Sequence, residues 1–283
     1  MWNLREIHRP KDLNIALELL RRPDVRTVPL AGGTELISRR DRTIEAVADL
    51  RDLGLDTIEA EDDVVCIGAM VTLQEMATSP TLRALADGLL ARTARSSAAS
   101  LIRNMATLGG TLIAAADTAD LPPALLALDA RVTLRTPNEQ HLSLADFYAA
   151  GGRVEGGLLT EVAVPVPPKE TGAAFHKVGR TPADRAIVSV AALVTLEGGL
   201  CRKARLAVGG IGPRPARVVE AEKLLEGQEL TEARLEEAVR LAKAHLEPPS
   251  DFLASAEYRR EVAGVLARRA LREAWERAKG GKR

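Results

Sequence analysis

Two glycine pairs constrain this chain more than anything else in it: Gly32-Gly33, preceded by Ala31 and followed by Thr34, and Gly109-Gly110, held between Thr107 and Thr111. The first follows a run, 26–30, that reads as a strand, and precedes 35–39, which reads as a short helix. Glycine lets the backbone take positive φ and lets it approach a ligand closely. Successive N–H groups at such a turn, beside a helix start, form a nest for an anion. The second pair repeats the device one block later, so the two can grip one diphosphate from both sides. The ordinary alternative is a tight strand-to-helix turn. Neither pair has the GxGxxG or the GxxxxGK[ST] spacing, so neither dinucleotide-fingerprint nor phosphate-loop geometry is expected.

The rest of the chain frames these turns. In residues 1–55, WNLREI (2–7) alternates like a half-buried strand, and Asp12 is placed to cap a helix with Leu13, Ala16, Leu17 and Leu20 on one face. A further strand is expected over 43–50. Residues 56–168 form a second block: a strand in DDVVCIGAM, a capping box at Thr72–Glu75, a helix over 80–95, a helix over 122–128, and strands near 131–136 and 158–164. The prolines of VPVPP close it. Residues 169–283 form a third block. Its runs GAAFHKV, AIVSVAALVTL and CRKARLAVGGI read as an antiparallel three-strand meander, followed by helices over 231–246 and 255–278.

Composition removes several function classes. The 39 Lys and Arg balance the 39 Asp and Glu, and only two Trp, two Tyr and three Phe are present. Electrostatic capture of nucleic acid or an anionic membrane is therefore not expected, nor a stacking platform for single strands. Cys66 and Cys201 lie far apart, and His8, His141, His176 and His245 show no HxxxH spacing. No zinc site or cysteine-ligated cluster can be built from them, and two reduced thiols in a cytoplasmic protein are expected. No apolar run is long enough to span a membrane, and the charged N-terminus is not a signal peptide.

Beyond the second glycine pair stand Asp117 and Asp120. Asp120 precedes Leu121-Pro122-Pro123, where it can cap a helix or accept from ribose hydroxyls. Lys177, with Arg180, Asp184 and Arg185, supplies positive charge near a bound flavin or phosphate, or forms a solvated loop. Strict alternation in GAAFHKV puts Phe175 and Lys177 on one strand face, Ala174 and His176 on the other. Arg103 and Asn104 read as helix-end residues. No general-base histidine and no Ser/His/Asp order stands out, so no catalytic side chain is assigned.

Five passages together give a resemblance. AGGTEL (31–36), IRNMATLGGTLIAAADTAD (102–120), LLTEVAVPVP (158–167), FHKVGRTPADRAIVSVAA (175–192) and SAEYRREVAGVLARRAL (255–271) occur in the order found in the FAD-binding medium subunits of the molybdenum hydroxylases. The chain resembles that family over nearly its whole length. The resemblance implies an α+β fold: two α/β subdomains (1–55 and 56–168) forming a vanillyl-alcohol-oxidase-type FAD-binding domain, plus a C-terminal domain (169–283) of a three-stranded antiparallel sheet and a helix bundle. It implies that Ala31, Gly32, Gly33, Thr34, Thr107, Gly109, Gly110 and Thr111 wrap the FAD diphosphate. It places Asp120 on the ADP ribose, Leu158 and Leu159 near flavin or adenine, and Lys177 at the isoalloxazine edge.

The same resemblance assigns the molybdopterin to a large partner subunit and the 2Fe–2S clusters to a small one. Electrons would pass through FAD to NAD, a quinone or oxygen. Thr111 stands where the family usually has Asn, Ala116-Asp117 where Asp-Pro or Ser-Pro is common, and Ala114 and Ala115 where polar residues are frequent. No aromatic stands in 96–100. These departures motivate the alternative, a flavin-free docking subunit of the same kind of complex.

Overall fold

The computed structural model describes residues 3–114 and 118–280. Trp2, Ala115, Ala116 and Asp117, all named in the sequence analysis, lie outside the described residues. The first unit contains β1 (Glu6–His8), α1 (Leu13–Leu20), β2 (Thr27–Leu30), α2 (Leu36–Arg39) and β3 (Ala46–Asp49). Its three strands are parallel in the order β1-β3-β2. β3 is buried along its whole length, as the central strand of a parallel sheet should be. The expected cap is present: the Asp12 carboxylate accepts from the amides of Asn14 and Ile15 at 2.8 and 3.2 Å. It orients α1 so that Ala16 and Leu17 bury against Leu50 and Leu158.

The second unit adds β4 (Ile58–Ala60), β5 (Val64–Gly68), α3 (Leu73–Thr78), α4 (Pro80–Ala84), α5 (Leu89–Ser96), α6 (Ser100–Arg103), α7 (Leu108–Ala114), α8 (Leu121–Ala127), β6 (Arg131–Arg135), β7 (Glu139–Ser143), α9 (Leu144–Ala149) and β8 (Leu158–Pro165). The strands form an antiparallel sheet, β4-β5-β8-β6-β7, with α3, α5, α8 and α9 packed into one core beside it. Thr72 and Glu75 make the expected capping box. The single helix expected over 80–95 is broken. Ala86, Asp87 and Gly88 take positive φ (47°, 54° and 70°), so α4 and α5 are separate helices. Apolar periodicity runs across the break because both sides bury leucines. The turn itself is one Gly and Asp tolerate.

The third unit is β9 (Thr171–Val178), β10 (Val188–Glu197), β11 (Leu200–Gly209), β12 (Ala216–Arg217), α10 (Val219–Leu225), α11 (Glu232–His245) and α12 (Ala256–Ala278). The expected meander is correct but has a fourth member: two-residue β12 joins the β11 edge, giving the order β12-β11-β10-β9. So short a strand carries no periodicity to read. One face of this sheet, with Ala173, Ala191 and Ala207, packs on the core of the second unit. The other face, with Ala174, Val190, Ala192 and Val208, packs under α10–α12. That is why SVAALVTL is apolar on both faces rather than alternating.

Candidate functional site

All three units contribute to one cleft of about 320 Å³. Its wall contains residues 31–36 after β2, 106–107, 109–111 and 113–114 at and within α7, 118–120, 157–159 at the start of β8, and 183–185 from the β9–β10 loop. Ala31, Gly32, Gly33, Thr34, Thr107, Gly109, Gly110, Thr111, Asp120, Leu158 and Leu159, all singled out in the sequence, line it together. Lys177 does not. It lines a neighbouring depression with Arg95, Arg103 and Arg180, which meets the cleft at Ala98 and Ala183.

The first glycine pair is shaped by two requirements. A Cβ on Gly32 would stand 1.7 Å from the Met105 carbonyl oxygen, so glycine is what lets this turn meet the segment before α7. Gly33 holds φ +71°, in the left-handed region that suits glycine. Among the described residues, the amides of Gly32, Gly33, Thr34 and Glu35 find no protein acceptor. Four neighbouring unpaired N–H groups beside a cleft are the nest the sequence suggested.

The second pair differs. It is the first turn of α7 rather than a free turn, and its amides are spent. Leu108 donates to Val71 O at 2.9 Å, Gly109 to Ala69 O at 2.8 Å, and Thr111 to Thr107 O at 2.9 Å. Gly110 donates to Thr107 Oγ1 at 3.2 Å. What this segment offers the cleft is space. A Cβ on Gly110 would meet only Thr107 Oγ1, at 3.0 Å. The Thr111 hydroxyl turns back to Thr107 O at 2.8 Å.

Asp120 is the most unusual group in the wall. It stands at the N-cap position of α8 but makes no capping hydrogen bond, so the capping alternative is not realised. Its side chain is 3% exposed. Oδ2 accepts from Lys177 Nζ at 2.6 Å and from Ser97 Oγ at 3.4 Å. Oδ1 is buried with no partner among the described residues. Burial pushes the carboxyl above the ordinary aspartate range, opposed first by the Lys177 ammonium.

Alternation in β9 is as expected: Phe175 packs on the core of the second unit, while His176 meets Glu273 of α12 at 2.7 Å on the other face. Phe175 does not reach the cleft lining. Asp184 pairs with Arg180 at 3.4 Å, and Arg185 pairs across the cleft with Glu35. Arg103 is tied to Gln74 Oε1 and Ala98 O at 3.1 and 2.7 Å. Burial pushes the thiols of Cys66 and Cys201 up to about 11, so neither is a nucleophile near neutrality. The sequence reading missed Glu35 and Ser97. Glu35 follows Thr34 directly, and the SSAAS run after α5 was the signal for Ser97: small residues where an amphipathic helix stops.

Among the described residues no group of three or more His, Cys, Asp and Glu is placed to hold a metal, and no helix is long and apolar enough to cross a membrane. A nest of free amides, a glycine open to the cleft and an orphaned carboxylate oxygen fit a nucleotide cofactor with a diphosphate and neutral donors. That is the chemistry of a nucleotide-cofactor protein. Residues 3–167 match the FAD binding domain in molybdopterin dehydrogenase, and residues 173–274 match the CO dehydrogenase flavoprotein C-terminal domain. The chain therefore belongs to the FAD-binding medium subunits of the molybdenum hydroxylase family, and it is an oxidoreductase subunit. It is 36% identical to the carbon monoxide dehydrogenase medium chain of Afipia carboxidovorans, over 97% of this chain and 98% of that one. It is 30% identical to the glyceraldehyde dehydrogenase medium chain of Sulfolobus acidocaldarius, over 94% and 96%. Its fold superposes on a chain of the crystal structure of a Cu,Mo-CO dehydrogenase with a TM-score of 0.90, at 34% identity, covering 98% of this chain and 99% of that chain.

Proposed function

We propose that the cleft holds FAD in the manner the family resemblance implies, with Ala31–Thr34 and Thr107–Thr111 about the diphosphate. The observation that carries this reading is the run of unpaired amides from Gly32 to Glu35 in the same cleft wall as Asp120, whose Oδ1 has no partner among the described residues. The amides neutralise phosphate charge without a metal. Gly110 leaves the room a side chain would fill. Asp120 Oδ1 accepts from a ribose hydroxyl, and Leu158 and Leu159 exclude water from the apolar ring surface. When bound, FAD supplies a ring that takes up and returns electrons; the protein supplies position and field. No side chain acts as general acid or base.

On this reading the electrons come from iron–sulfur clusters of a small partner subunit, fed by a molybdopterin-binding large subunit, and leave to NAD, a quinone or oxygen. Supporting it, Ile37, Leu101, Ile102 and Met105 are exposed apolar side chains on the two segments that meet at the Gly32–Met105 contact. Such a cluster marks a covered surface. Replacing Leu101 and Met105 by Glu should release the partner chains during purification while the flavin stays bound; unchanged co-purification would remove this face from the interface. We divide the chain functionally at 55/56 and 168/169, in keeping with its three sheets.

The direct test is the purified full chain. It should carry visible flavin absorbance, or acquire it on adding FAD, at one FAD per chain. A colourless chain that takes up no FAD would overturn the reading in favour of a flavin-free docking subunit.

A further inference from the structure

Lys177 comes from β9 of the third unit, yet its side chain is 11% exposed and points into the second. Its three donor directions are all used: Asp120 Oδ2 at 2.6 Å, Ser96 O at 2.9 Å and Asp184 O at 3.3 Å. It is not part of the cleft lining and has no donor left for a ligand. Asp120 does line the cleft, and its free Oδ1 is the only acceptor of the pair not already satisfied.

We propose that Lys177 is a positioning residue that acts on the bound nucleotide through Asp120. It anchors Oδ2, leaving Oδ1 as the free oxygen of a residue in the cleft wall, and it favours the charged carboxylate against burial so that Oδ1 accepts from a neutral donor of the ligand. Because the pair is internally neutral, the donor it suits is a hydroxyl or an imide N–H rather than a cation. The proposal rests on the flavin reading above.

The groups around Asp120 support this assignment. β9 brings Lys177, and the end of α5 brings Ser96 and Ser97. The β9–β10 loop presents to Lys177 only the Asp184 carbonyl. Glu35 and Arg185 at the cleft pair with each other. Lys177 is therefore the cation that neutralises Asp120. Without it, burial acts on the carboxyl unopposed by charge and drives it toward the protonated form.

The test measures FAD affinity of the full chain by flavin fluorescence, from about pH 5.5 to about pH 8.5, where an ordinary aspartate does not titrate. Any loss of binding toward acid should set in at a lower pH for wild type and Lys177→Arg than for Lys177→Gln. Lys177→Gln should bind about tenfold more weakly at the acid end, since a hydrogen bond to a charged acceptor is lost, and should recover as the pH rises. Asp120→Asn should be weaker at every pH. The double variant should match Asp120→Asn alone, because Lys177 then has nothing to position.

A Lys177→Gln chain that binds as wild type across the range overturns the proposal, as does a loss that is flat with pH and adds to that of Asp120→Asn. If Lys177→Gln does not fold, the double variant, which buries no unpaired charge, still decides through its comparison with Asp120→Asn. A wild type that binds no FAD would instead overturn the flavin reading itself.

Discussion

Gly32 and Gly110 occupy similar-looking motifs, but a methyl group at each would do different things. At Gly32 it would collide with the Met105 carbonyl at 1.7 Å, a backbone atom that cannot step aside. Gly32→Ala should therefore lower the thermal unfolding temperature whether or not cofactor is present. At Gly110 a Cβ meets one hydroxyl oxygen at 3.0 Å and otherwise looks into the cleft. Gly110→Val should unfold within a few degrees of wild type when both are stripped of FAD, and should fail to retain FAD through gel filtration. Retention at wild-type occupancy would remove Gly110 from the diphosphate site. The two positions are indistinguishable in the sequence, since each is half of a glycine pair next to threonine. What a side chain at each would meet is set by the tertiary surroundings, Met105 for Gly32 and the cleft for Gly110, which no local pattern names. Asp120 shows the same limit: its place before Leu-Pro-Pro made capping and ligand binding equally legible, and its actual partner, Lys177, lies 57 residues on, where no local pattern names it.

At the scale of elements, the start of α3 matters more to the cleft than its distance in sequence suggests. Thr72 and Glu75 close a capping box: Glu75 Oε2 accepts from the Thr72 amide at 2.7 Å, and Thr72 Oγ1 from the Glu75 amide at 3.2 Å. The strap just before it takes the amides of Leu108 and Gly109, and Leu73 donates to Ala106 O at 2.9 Å. The cap thus fixes the strap, and the strap fixes the first turn of α7. Thr72→Ala should cost about 1 kcal/mol in urea unfolding. It should also weaken FAD binding, whereas Asp12→Ala, a cap of similar worth far from the second glycine pair, should cost the same stability with a smaller effect on FAD. Elements such as these were legible because caps and turn residues are local chemistry. α1, α3, α8, α11, α12 and the three long strands of the last sheet all carry such signals or a clear period. The break at Ala86–Gly88 was not legible, because leucines on both sides continue one period. β7 (EQHLS) is mostly polar and β12 is two residues long, so neither has enough apolar residues to show a face; α9, with Leu144, Phe147 and Tyr148 buried at helical spacing behind the Ser143 cap, carries a signal that the sequence analysis did not take up.

The whole molecule is held together by charge as well as by its cores. Asp129, at the end of the α8 turn, accepts from Arg205 Nε at 2.9 Å and Arg217 Nη1 at 2.8 Å and pairs with Lys203 at 2.5 Å, all from the third unit. Burial raises its carboxyl, but Lys203 and Arg205 outweigh that and hold it below the ordinary aspartate range. A carboxyl depressed on folding contributes stability above its unfolded value and loses it as the pH falls through the folded one. Asp129→Asn keeps the left-handed backbone at φ 52° but removes the charge. It should lower stability at neutral pH by on the order of 2 kcal/mol. That gap should begin to shrink as the pH falls below about 4, where the unfolded carboxyl protonates, and should close only below the depressed native value. A gap independent of pH would show that shape rather than charge fastens the two units here. The Lys177–Asp120 pair has a related consequence for modularity. The boundary between the two matched domains, at 167 and 173, falls between the halves of a buried ion pair. A chimera joining residues 3–167 to the C-terminal domain of a relative inherits the carboxylate without its counterion, unless the incoming strand brings a cation at the same register. On the flavin reading, the two domains share one binding site as they share one core.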